Sequence, residues 1–229
     1  MTVSSAPARV FCLSMPCTGT ASLGRFCRDF GLRTALAPAL RSHRWTAAWH
    51  AGDFEAIFSS REFADAQVVA GAPWWLPDFY KVAYQRYPDA RFVLLTREPS
   101  VWFASMLEHA RGQAPGDSRL HAKAFRRELE FLRLLRAGEI DDRIDDRGRR
   151  LPLQGAHAGH YSEIYRLHNS EVLEFFARHA PAALHWGELE DPRLWPRLGN
   201  FLGIEVPFGY RCHVNTHAVA PLALALTGT

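Results

Sequence analysis

The chain has 229 residues, 48% hydrophobic and 22% charged, with a formal net charge of +3. That length can bury a sizeable core in one domain. The charge excess is too small for a nucleic-acid binder, which clusters its basic residues more strongly, and suits a small anionic ligand. The four cysteines, Cys12, Cys17, Cys27 and Cys212, form no CxxC pair, and no Cys/His cluster has zinc spacing. Reduced thiols, a cytoplasmic location and no bound metal are therefore expected. No apolar run approaches the ~20 residues that span a bilayer. The opening MTVSSAPAR lacks the apolar stretch of a signal peptide. The terminal APLALALTGT is expected to pack on the domain.

In chain order, Arg9 to Ser14 reads as a short buried strand, with Val10, Phe11 and Leu13 before a proline. Ala21 to Phe30 reads as a helix with Leu23, Phe26, Cys27 and Phe30 on one face, closed by Gly31. A second strand is placed at Arg33–Leu36. Asp53 is a good N-cap for a short helix through Phe58. AQVVAGAP gives a third strand, and Asp78 to Arg86 a helix. Phe92 to Thr96 is the clearest strand; Pro99 suits the first turn of the helix after it, expected to run to Arg111.

From Leu120 to Arg136 the spacing of Phe125, Leu129, Leu132 and Leu135 predicts one helix facing the core. Lys123, Arg126, Arg127 and Arg133 fall on its solvated back. Asp141–Arg150 is a charge-dense loop, read as solvated or mobile. Tyr161 to His179 is helical, Ala182–Trp186 a late strand, and Leu194 to Leu202 a last helix ended by Gly203. Strands alternating with helices predict an α/β fold, a parallel sheet flanked by helices. No internal repeat divides the chain, so residues 1–229 are read as a single domain.

The stretch VFCLSMPCTGTASLGRF, Val10 to Phe26, has the order strand, tight turn, helix. Such a turn presents free backbone N–H groups and the positive end of a helix dipole, which bind phosphate without side-chain charge. Thr18, Thr20 and Ser22 add hydroxyls around Gly19 and Ala21. The chain lacks the GK[ST] that brings a lysine and Mg²⁺ to a nucleoside triphosphate, which disfavours a kinase or ATPase. A cysteine phosphatase would place an arginine six residues after Cys17, where Leu23 stands.

MPCTGTASL, followed downstream by YPDARFVLLTREPSVWFASM, resembles the nucleotide-dependent sulfotransferases, in their bacterial and invertebrate branch. HNSEVLEFF and WPRLGNFLGIEVPFGYRCHVN resemble that branch's closing segments, so the likeness runs from about Arg9 to Asn215. The resemblance implies a P-loop NTPase-like sulfotransferase fold and the donor 3′-phosphoadenosine-5′-phosphosulfate (PAPS). Its 5′-phosphosulfate would lie on Thr18, Gly19, Thr20, Ala21 and Ser22. Its 3′-phosphate would lie on Arg97 and, eight positions on, Ser105, with Arg211 of the closing segment joining the set. The acceptor would be a hydroxyl or amine of a small molecule or glycan. An ordinary surface salt bridge to Glu98 or Glu108 is the other reading of Arg97.

Two positions depart from the family pattern. The family carries Lys or Arg where this chain has Cys17, and that cation stabilises charge on the departing oxygen. The branch also carries an acid before the proline matching Pro73, where Gly71-Ala72 stand here. Cys17 is thus expected at the catalytic edge of the site, with a thiol pKa lowered by the helix N-terminus. His50 is the first candidate for the general base, with His43, Asp78 and Lys81 as others. Trp74 and Trp75 either wall an acceptor pocket or pack in the core. Two functions follow: an active sulfotransferase, favoured by the intact Arg97/Ser105 pattern, or a catalytically impaired relative that binds nucleotide or another ligand.

Overall fold

The computed structural model describes residues 9–36, 43–115, 118–142, 148–212 and 214. The readings of the N-terminal stretch, of the terminal APLALALTGT and of the middle of the charged loop lie outside them, as does the side chain of His43.

Five strands form one parallel sheet: β1 (Val10–Cys12), β2 (Thr34–Leu36), β3 (Val68–Ala70), β4 (Arg91–Thr96) and β5 (Leu184–Glu188). Their spatial order is β2-β3-β1-β4-β5. The central register pairs Val10 with Val68 on one side and Arg91 on the other. Alternation along the strands sorts side chains onto two faces. Phe11, Val69, Phe92 and Leu94 enter one core; Val10, Cys12, Val68, Val93 and Leu95 enter the other. Both faces are covered, as a parallel sheet requires.

The second face is closed by α1 (Thr20–Asp29) and α10 (Leu194–Leu202), through Leu23, Phe26, Trp195 and Leu198. Gly31, at φ 79, ends α1 in the left-handed turn a glycine adopts without strain. The first face is covered by α2 (His43–Ala51), α3 (Phe54–Phe58), α4 (Arg61–Asp65), α5 (Phe79–Arg86), α6 (Pro99–Ala110) and α9 (Ala158–His179). Asp53 caps α3 by accepting from Ala56 N, and Ser60 caps α4 by accepting from Phe63 N. Of these helices, α2 and α4 had no counterpart in the sequence reading.

The predicted helix from Leu120 to Arg136 is two helices, α7 (Ser118–Ala124) and α8 (Glu128–Arg136). Arg126 sits at φ 53 between them, and this left-handed residue resets the helical phase. As a result Phe131 and Leu134 are buried, whereas Leu129 is 85% and Leu132 42% exposed. Arg127, expected on the solvated back, is 5% exposed. Its guanidinium donates to both oxygens of Glu130 at 2.7 Å, to the Pro152 carbonyl at 2.9 Å and to the Tyr161 hydroxyl at 2.8 Å. A buried arginine persists only with such a full set of acceptors.

Candidate functional site

The chain leaves β1 toward β2 and β3 on one side, then crosses to β4 on the other. The carboxyl end of β1 is therefore the switch point where α/β sheets bind ligands. Leu13 and Ser14 extend β1 into the turn. Leu13 N donates to Val93 O at 2.9 Å, and Leu95 N donates to the buried Ser14 hydroxyl at 2.7 Å. Thr18, fully buried, donates its hydroxyl to Met15 O and closes the loop on itself. Cys17 and Gly19 both take left-handed conformations, φ 66 and 89. At Gly19 the positive φ favours glycine, and a Cβ there would lie 2.5 Å from Leu189 Cδ1, so the Leu189 side chain would have to move. The N-cap of α1 is Gly19, which has no side chain, and among the described residues no side chain accepts from the first turn of α1. Its first-turn N–H groups, at Thr20 and Ala21, thus remain for an anion.

Ser22 has a different place. Its hydroxyl accepts from Val214 N at 2.9 Å, and its carbonyl accepts from the Cys212 thiol at 3.3 Å. It pins the closing segment along α1. Arg211 lies on that segment, exposed, with its guanidinium on Tyr210 O at 3.1 Å. No contact among the described residues brings it to Arg97 or Cys17.

The turn and the β4–α6 junction meet at Cys17. Its thiol feels the Ser105 hydroxyl and the charge of Arg97, residues 80 or more positions away in sequence. Burial outweighs both and pushes the thiol up to about 11, so the expectation of a lowered pKa is corrected: desolvation defeats the helix dipole here. Glu98 is not Arg97's partner. It caps α6, accepting from Ser100 N at 2.8 Å and Val101 N at 3.0 Å. Arg97 instead donates through Nε to Glu190 at 2.6 Å.

Three further residues around this junction were not read from the sequence. Tyr165 stacks on Trp102 with centroids 4.2 Å apart, and its hydroxyl accepts from Arg97 N at 2.8 Å. His168 contacts Leu13 O through Nε2 at 2.9 Å; burial lowers its pKa, so the neutral ring donates that hydrogen. Trp102 Nε1 donates to Pro16 O at 2.8 Å, tying α6 to the turn. Tyr165 and His168 are spaced i, i+3 on the buried face of α9, a polar pair set among Ile164, Val172 and Phe176. That pairing is the sequence signal that could have found them. Glu190 is the third; no local pattern marks it.

The remaining candidates lie toward β2 and β3. Trp74 is 1% exposed, packed against Phe11, Trp45 and Phe63, and Trp75 is 5% exposed against Phe125. Both are core rings, the second of the two readings. Trp49, with Phe54, Phe79 and Val82, lines an open cleft of about 500 Å³ that also holds His50, Asp78 and Lys123. Lys123 Nζ stands 4.3 Å from the Trp49 ring centroid, and the His50 ring meets the same indole edge-on at 5.3 Å. Asp78 is paired with the Lys81 ammonium at 2.5 Å.

A family model described as a sulfotransferase domain matches residues 9–219. Among solved structures, the chain is similar to a sulfotransferase from Alicyclobacillus acidocaldarius, at 15% identity over 87% of this chain and 82% of that one, with TM-score 0.47. It is also similar to the mouse sulfotransferase SULT7A1 complexed with PAP, at 13% identity, TM-score 0.44, over 89% of this chain and 61% of the mouse protein. No curated protein matches the sequence.

Proposed function

The chain belongs to the sulfotransferase domain family, and from that premise we propose that it moves a sulfuryl group from PAPS to a hydroxyl or amine of a small-molecule or glycan acceptor. The observation that carries this reading is the joining of the turn after β1 to the β4–α6 junction, through Leu95 N donating to the Ser14 hydroxyl at 2.7 Å and Trp102 Nε1 donating to Pro16 O at 2.8 Å. Two anion-binding elements far apart in sequence form one site at the switch point of the sheet.

The residues present fit such a nucleotide. The uncapped N-terminus of α1 receives the 5′ anion on backbone N–H groups, with Thr18 and Gly19 shaping the turn. Arg97 receives the 3′-phosphate, and Ser105 adds a neutral donor. Bound there, the nucleotide supplies the transferable sulfuryl group. Trp102 and Tyr165 hold the turn and the Arg97 backbone in register, so the two anion sites keep a fixed separation.

The acceptor is assigned to the cleft beside α5. Pro77 and Asp78 at its rim follow the carboxyl end of β3, the edge that carries the turn. Its volume is that of an ordinary small-molecule pocket. Apolar walls from Trp49, Phe54 and Val82 favour an acceptor with an apolar body, and Lys123 favours an anionic tail. His50 is the group in the cleft suited to take the acceptor proton.

One observation favours a second reading, nucleotide binding without transfer. Cys17 brings no positive charge in either protonation state to the position where the family pattern has a cation. The test has two parts. Adenosine-3′,5′-bisphosphate at 100 times its Kd should stabilise the protein by about 2.7 kcal/mol, more than adenosine-5′-monophosphate or Mg-ATP does at the same concentration. Turnover of PAPS with phenol, alcohol and amine acceptors then separates the readings. Bisphosphate binding without turnover selects the second, and stabilisation led by Mg-ATP rejects both.

A further inference from the structure

The turn between β5 and α10 touches both anion-binding elements. Leu189 N donates to Thr96 O at 2.9 Å, which fixes the turn to the end of β4. The Leu189 side chain fills the space beside Gly19 that a Cβ would occupy. The next residue, Glu190, accepts from Arg97 Nε at 2.6 Å. Asp191 then anchors the turn to the start of α10, accepting from Arg193 N at 2.8 Å and from Arg197 at 3.0 Å. One short segment therefore packs on the phosphate turn with one side chain and holds the arginine with the next.

The geometry points to Glu190 as the positioning residue of Arg97. This inference rests on the reading that Arg97 receives a 3′-phosphate. A guanidinium offers five N–H groups in a planar fork, and a phosphate is best gripped by two of them in parallel. Glu190 engages Nε alone; among the described residues this is the guanidinium's one recorded hydrogen bond. With Nε occupied, one N–H on each terminal nitrogen, at the end of the fork opposite Nε, is left to form a bidentate edge. The backbone of Arg97 is already fixed by Tyr165, and its side chain is 14% exposed, so the Glu190 contact sets the remaining freedom of the fork. Glu190 is itself 50% exposed, and its charge is largely screened by solvent. Its repulsion of a bound phosphate is therefore the smaller effect, and the preset orientation the larger.

Geometry and charge are separable by substitution. Glu190→Gln keeps an oxygen at the same reach and removes the charge; Glu190→Asp keeps the charge and withdraws the reach; Glu190→Ala removes both. Calorimetric titration of each with adenosine-3′,5′-bisphosphate and with adenosine-5′-monophosphate provides the readout, with melting temperatures of the free proteins as the check on folding. For the bisphosphate, Glu190→Ala and Glu190→Asp should lose about tenfold in affinity, and Glu190→Gln should stay within about twofold of the parent or exceed it. The monophosphate should not distinguish the variants. Equal losses for both nucleotides would make Glu190 merely structural. Tighter bisphosphate binding by Glu190→Ala would make it a competitor for Arg97. A Glu190→Gln as weak as Glu190→Ala would assign the effect to charge. Each of these overturns the proposal. A parent protein indifferent to the 3′-phosphate removes the reading of Arg97 and the proposal with it, and that failure is visible before any variant is made.

Discussion

Cys17 combines a left-handed backbone with a half-buried, un-ionised thiol in the field of Arg97. Lysine there would place a second cation next to the guanidinium in the free protein, where it lacks a counter-ion. Cys17→Lys is expected to lower the stability of the free protein by roughly 1–3 kcal/mol. Bound bisphosphate neutralises the pair, so the thermal shift produced by that nucleotide should be larger than in the parent. If the position borders the departing oxygen, turnover of PAPS should rise as well, toward the ~10²–10³ that one preorganised charge contributes. An unchanged shift together with unchanged turnover would remove Cys17 from the edge of the site. The turn after β1 was legible as a turn because it follows a strand end at short range, whereas Arg97 and Ser105 were singled out by the family resemblance. The burial that governs the Cys17 thiol was not legible, because helices distant in sequence supply it. Glu190 was hidden for the same reason, lying 93 positions from the arginine it holds.

At the level of elements, the strands were readable as compact apolar runs, and α10 with its closing Gly203 was found at the bounds observed. The failure at α7 and α8 has one cause. The 3.6-residue phase was carried through Arg126, whose left-handed backbone breaks it. Nothing local marks that position, because the turn is stabilised by Arg127 reaching Glu130, Pro152 and Tyr161 across three segments. The reset phase can be tested by comparing two apolar residues on one helix. Phe131→Ala removes a ring from the small core formed with Ala122, Leu134 and Leu151 and should cost about 3–5 kcal/mol. Leu129→Ala, on the exposed side, should stay within about 0.5 kcal/mol of the parent. Urea midpoints decide it, and the opposite ranking would restore the continuous helix read from the sequence.

For the molecule as a whole, the alternation of strands and helices announced a parallel sheet, but not the order that puts β1 at its centre. That order is fixed by which core each helix joins, as with α1 and α10 on the face of Val10 and Cys12. The same burial gives the protein a distinctive acid response. His121, His157, His168 and His185 are all held below the ordinary histidine range, with desolvation the largest cause in each; His121, also beside Arg127, is lowered to about 3. A lowered pKa means that the unfolded chain binds the proton more readily than the folded one. Stability is therefore complete above the unfolded value near 6.5, and it falls as the pH drops below that, down to about 3 for His121. Glu98, Glu130 and Asp191 are lowered as well, but their contributions are lost only below the ordinary carboxylate range. Between pH 6.5 and 4.5 the slope thus belongs to the histidines, on the order of 1 kcal/mol per pH unit for His121, which stays neutral throughout, and less for the partly exposed His157 and His185. Urea midpoints at pH 7.5, 6.5, 5.5 and 4.5 should be level over the first interval and fall over the next two. His121→Gln, whatever its absolute stability, should flatten that fall, because the side chain that titrates only on unfolding is gone. A curve flat to pH 4.5, or an unchanged slope in the variant, would show that His121 does not hold its proton-free state in the folded protein.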